Sequence, residues 1–91
     1  MDAQRDELAE HLAAAFPASI DPGDAYGEVE PVLIDADIVG WLAHDRLDPV
    51  QRRSLTQAAD GLAHSLSTFP ADARPYFERL LRLARRAVAA G

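Results

Sequence analysis

The side chains able to do chemistry in this chain are His11, His44 and His64, fifteen carboxylates, nine arginines and a scatter of hydroxyls; cysteine, lysine and asparagine are absent. Histidine beside carboxylate points first to metal ligation or acid–base catalysis. His44 and Asp45 are adjacent in sequence, so on a helix they point about 100° apart and form no ready pair. Asp37 and His44 share a helical face, but seven residues separate them by roughly 10 Å along the axis, too far to clamp one ion. His11 and His64 fall on other elements. The residues therefore assign no catalytic group, no metal and no cofactor, and the expectation is a protein that is not an enzyme. Without lysine there is no phosphate-binding loop of the G-x-x-x-x-G-K type and no Schiff-base nucleophile. Without cysteine there is no disulfide, no thiolate and no cysteine-based zinc site.

Binding chemistry matches the residues better. The segment DPGDAYGEVEP sets Tyr26 among Asp21, Asp24, Glu28 and Glu30. A rigid aromatic inside a ring of carboxylates suits a basic protein surface, with tyrosine as anchor and carboxylates accepting from arginine or lysine. It does not meet the D-x-[DN]-x-[DN]-G-x5-E spacing of a calcium loop. Asp35 and Asp37 follow closely, and the seven residues Asp21, Asp24, Tyr26, Glu28, Glu30, Asp35 and Asp37 form the expected partner-binding set. Charge along the chain agrees: residues 1–50 hold twelve acids and two arginines, residues 51–91 three acids and seven arginines. An acidic front half of this kind either packs against the basic half or steers a cationic partner.

Arg79, Arg82, Arg85 and Arg86 on the last helix resemble a polyanion-binding face at first sight. The overall charge of −6 opposes nucleic acid, no aromatics interleave the arginines, and Glu78 precedes Arg82 by four residues in the favourable order for an ion pair. No nucleic acid and no membrane is the expectation. The leading reading is a small acidic protein-binding module of the immunity-protein or antitoxin type, inhibiting a basic partner such as a nuclease toxin. The alternative is a structural or regulatory subunit that forms a homo-oligomer through its basic C-terminal helix and acidic N-terminal half. The serine settings, Arg53-Ser54 and His64-Ser65, lack the Asp-Ser-Leu attachment site of acyl carrier proteins. An N-terminus that is acidic and has no apolar core, with no long apolar run, reads as cytoplasmic. The Ala, Arg and Asp bias fits a high-GC bacterial genome.

The elements that must position these groups read as all-α: a small four-helix bundle-like domain, one helix short, with a long acidic loop over 17–33. A first helix is predicted over 3–16, burying Leu8, Leu12, Ala15 and Phe16. A second over 36–44 starts from Asp35 as N-cap, with Ile34 stapled to Val39, and turns Ile34, Ile38, Trp41 and Leu42 inward. Gly40 within it marks either close approach of a neighbouring helix, with Gly61 as the matching contact, or a shallow spot for a partner's side chain. Asp48-Pro49-Val50-Gln51 opens a third helix over 49–67 with a capping box and proline at its first position. A fourth, over 72–89, buries Phe77, Leu80, Leu81, Ala84, Ala87 and Val88, with Tyr76 and Leu83 at its edges.

Overall fold

The computed structural model describes residues 3–90 and folds them into four α-helices: α1 (Ala3–Ala13), α2 (Pro31–Leu42), α3 (Pro49–Ser65) and α4 (Arg74–Ala90). A 3-10 turn, Leu66–Thr68, extends α3, and the described residues contain no strand, only one isolated bridge between Tyr26 and Val29. This is the expected all-α, bundle-like architecture. No helix among the described residues is long and apolar enough to cross a membrane.

The start of α3 follows the expected chemistry. Asp48 accepts from the Gln51 amide at 2.7 Å, Gln51 Oε1 accepts from the Asp48 amide at 3.0 Å, and Pro49 occupies the first turn. The same proline signal starts α2 at Pro31, five residues before the expected Ala36. Glu30 holds the N-cap position in extended geometry without a side-chain cap bond, so Asp35 is not an N-cap and Ile34 is not a staple outside the helix. Both residues sit inside α2, which ends at Leu42 rather than at His44.

The core is built by Ile38 of α2, Leu55, Ala59 and Leu62 of α3, and Phe77, Leu80, Leu83 and Ala84 of α4. Phe69, in the α3–α4 connection, meets Phe77 edge-on at 5.0 Å. Burying each large side chain contributes about 1.5–3 kcal/mol. Trp41 packs half-buried against this cluster. Leu81, Ala87 and Val88 border the core half-buried, while Leu83, expected at its edge, is fully buried.

Helix α1 departs most from expectation. It ends at Ala13, ahead of Pro17, which disfavours helical geometry at the residue before it. Of its expected apolar face, Leu8 is half-buried, Leu12 points outward at 62% exposed, and Phe16, beyond the helix end, keeps its ring edge-on to Tyr76 and Phe77. Gln4, Glu7, Leu8 and His11 face the bundle. They do so because α4 meets them with arginines: Gln4 Nε2 donates to the Leu83 carbonyl at 3.0 Å, Arg82 donates to Glu7 from Nε and Nη2 at 3.1 and 2.8 Å, and Arg86 also donates to Glu7. Early residues of α1 thus meet late residues of α4, and His11 meets Arg79, so the helices run antiparallel along a polar seam.

The connection from α1 to α2 is held in place. Ile20 is 4% exposed, the Tyr26 and Val29 backbones exchange hydrogen bonds of 2.9 and 3.2 Å, and the Glu28 amide donates to Ser65 Oγ at 2.8 Å. Gly27 makes that docking possible. Its φ is +59°, and a Cβ there would lie 2.7 Å from Ser65 Oγ.

Candidate functional site

Because α2 begins at Pro31, its side chains divide into two faces. Pro31, Ile34, Asp35, Ile38, Trp41 and Leu42 turn toward the bundle. Leu33, Ala36, Asp37 and Gly40, at i, i+3, i+4 and i+7, turn away from it and are all exposed.

The inward face carries a polar cluster that the sequence does not announce. Asp35 Oδ1 lies 2.9 Å from His11 Nε2, Asp35 Oδ2 accepts from the Tyr76 hydroxyl at 3.1 Å, and Arg79 Nε donates to His11 Nδ1 at 3.3 Å. A carboxylate on one ring nitrogen and a guanidinium donor on the other place the imidazole hydrogen on Nε2 and a lone pair on Nδ1. Burial first, then the Asp35 charge, pushes the Tyr76 hydroxyl above the ordinary phenol range, which keeps it a donor. The Tyr76 ring also packs against His11, tilted by 43° with centroids 4.2 Å apart, and meets Phe16 edge-on at 5.4 Å.

A general base must present a free lone pair to a substrate. His11 is 1% exposed and both of its nitrogens are engaged within the chain, so this cluster joins three helices and offers no such group. Reading His11 as part of the site required knowing which face of α1 is buried. The apolar spacing of Leu8, Leu12 and Phe16 centres the buried face on Leu12, which is exposed, and leaves His11 at its edge. Among the described residues no three His, Asp or Glu side chains gather as a metal site.

The seven expected binding residues divide among different environments. Asp21 is exposed, and Asp24 Oδ2 accepts from the Asp21 amide at 2.9 Å, closing a local turn. Tyr26 does not stand free: it is half-buried, with its ring 5.6 Å from Phe69. Glu28, 70% exposed, lies at the tip of the Tyr26–Val29 turn with a carboxylate oxygen 3.9 Å from His64 Nδ1. Glu30 is half-buried where α2 starts. Asp35 is only 18% exposed and bonded inward, whereas Asp37 faces solvent. These two aspartates therefore share no surface.

Gly40 resolves differently from the helix-contact reading. A Cβ built on it meets nothing within 4 Å, while one on Gly61 meets Val29 Cγ1 at 3.5 Å. The two glycines do not face each other, and no neighbouring helix accounts for Gly40. Beside it Leu33 is 57% exposed. Together with Ala36 and Asp37 this makes a low, open strip with one apolar projection and one carboxylate.

The basic residues of α4 are taken up internally. Arg79 bonds His11, Arg82 and Arg86 share Glu7, and Arg85 Nη1 donates to Asp60 Oδ1 of α3 at 2.7 Å. Arg82 therefore serves Glu7 rather than only its helical neighbour Glu78. The hydrogen bond from Arg82 foremost, reinforced by Arg86, holds the Glu7 carboxyl below the ordinary carboxylate range against the opposing effect of burial. Comparison of the chain with protein-family models, curated proteins and solved structures finds no match.

Proposed function

We propose that the chain is a protein-binding module that docks a basic partner on the outward face of α2, with the exposed carboxylates of the preceding loop at its border. The observation that carries this reading is Gly40. A glycine within a helix costs up to about 1 kcal/mol relative to alanine, and no internal contact accounts for Gly40 in the last turn of α2. A flat spot between Leu33 and Asp37 suits a partner's side chain laid against the helix backbone.

Charge supports a cationic partner. Glu7, Asp35 and Asp60 are bonded inside the chain, while Asp21, Glu28 and Asp37 face solvent. An inhibitor of the immunity or antitoxin kind, covering the cationic groups with which a nuclease toxin holds its substrate, is the finest form of the reading. A homo-oligomer built on the basic face of α4 would first have to release the arginines from Glu7, His11 and Asp60.

The test compares what immobilised wild-type protein, a Gly40→Arg/Leu33→Ser variant and a Leu12→Ser variant capture from lysate of the native host. A basic protein retained by wild type and Leu12→Ser but lost from the α2 variant supports the surface. Equal capture by all three overturns it.

A further inference from the structure

Away from the outward face of α2, the first turns of α1, the end of α2 with the following turn, the start of α3 and the end of α4 enclose an open cleft of about 910 Å³. That volume falls in the range of small-molecule sites. Its lining is mixed, with Leu8, Trp41, Leu42, Leu47 and Ala87 supplying much of the apolar part. Its charge is the reverse of the chain's. Arg5, Arg46, Arg52 and Arg86 line it against Asp45 alone, so four of nine arginines gather here in a molecule of net charge −6.

The ends of α2 and α4 border the cleft, and helix C-termini attract cations. Each carries about half a negative charge, which draws guanidinium groups to this side of the molecule. Arg86 is anchored by Glu7, Arg52 Nη2 reaches the Leu47 carbonyl at 3.5 Å, and Arg46 lies exposed on the turn between α2 and α3. Guanidinium groups beside a tryptophan and a leucine wall recognise a molecule with an anionic head and an apolar body. A polyanion would be repelled by the acidic remainder of the surface.

We infer that this cleft binds a small amphipathic organic anion, its carboxylate or phosphate head on Arg46 and Arg52 and its apolar body against Trp41 and Leu47. Trp41 is the only tryptophan and reports directly on occupancy. The experiment titrates the protein with anilinonaphthalene sulfonate, its uncharged analogue phenylnaphthylamine, and inorganic phosphate, following Trp41 emission. Decanoate and decyl phosphate then compete for the site and identify the preferred head group.

Saturable one-site quenching is expected with the sulfonate and at least about tenfold weaker binding of the uncharged analogue, the ratio that a charge-assisted hydrogen bond supports. Arg46→Glu should weaken the sulfonate by about tenfold or more and Arg46→Lys, which keeps the charge and the turn, by only a few-fold. Equal binding of charged and uncharged probes, no saturation, or an Arg46→Glu titration equal to wild type overturns the site. If the arginines only neutralise helix ends, Arg46→Glu lowers the melting temperature and leaves quenching unchanged, which also overturns it. None of these results depends on whether α2 docks a protein.

Discussion

Asp35 and Asp37 stand two residues apart on α2, and the roughly 200° of helical rotation between them sends one carboxylate to His11 and Tyr76 and the other to solvent. Same residue type, same helix, same acidic stretch: only the phase of the helix, set by Pro31, decides which is structural. The largest expected effect tests this contrast. Asp35→Ala leaves the His11 and Tyr76 donors without their shared acceptor and should lower stability by about 2–4 kcal/mol, the range for deleting a mostly buried charged acceptor. Asp37→Ala should change it by less than about 0.5 kcal/mol. Urea unfolding gives both values from the midpoint at constant slope. Similar losses for the two would break the division of α2 into an inner and an outer face.

Two glycines carry the next contrast, with opposite signs. Gly27 has positive φ and Ser65 packed against it, so Gly27→Ala adds backbone strain to a clash with the Ser65 backbone and side chain. The expected loss is about 2 kcal/mol. Gly40 has helical geometry and open space where a Cβ would go, so Gly40→Ala should raise stability by up to about 1 kcal/mol. In a domain of this size these correspond to a fall of roughly 10 °C and a rise of at most roughly 5 °C in melting temperature. A fall for Gly40→Ala would mean that the glycine has an internal role and would leave no reason to place a docking face on α2.

The parts of the fold legible in the sequence are those fixed by local chemistry or by a strong apolar period. Asp48, Pro49 and Gln51 specify the start of α3 within four residues, and Leu55, Ala59 and Leu62 repeat as a buried stripe must. Pro31 carried the same signal for α2, but Asp35 also fits an N-cap, and local rules alone gave the later residue preference. The α1 face is only partly legible, for a tertiary reason. Its inward side is polar because α4 supplies partners some seventy residues away, and no window along α1 contains them. The Asp35–His11–Tyr76–Arg79 cluster was hidden for the same reason. The loop over 17–33 reads as irregular, yet Ile20, Gly27 and Ser65 fasten it through contacts that only the folded chain brings together.

The smallest expected effect sharpens the contrast between the polar seam and ordinary surface pairing. Glu7, 17% exposed, bridges Arg82 and Arg86, whereas Asp60 and Arg85 pair with about half of each side chain in solvent. Arg82, with help from Arg86, holds the Glu7 carboxyl below its ordinary value near 4.5 in the folded chain. A depressed carboxyl contributes stability that is fully present above that ordinary value and is lost as pH falls through the lower, folded-state value. Glu7→Gln should therefore cost about 1 kcal/mol at neutral pH, at the upper end for a partly exposed ion pair because two guanidinium groups share one carboxylate. The difference from wild type should hold down to about pH 5, shrink below that, and vanish once Glu7 is protonated in both states. Asp60→Asn should cost less at neutral pH and lose most of its effect in about 0.5 M salt, where exposed pairs are screened. Equal, salt-sensitive effects for the two variants would reduce the Glu7 bridge to surface pairing and leave the Asp35 cluster and the Gln4–Leu83 hydrogen bond to hold α1 in place.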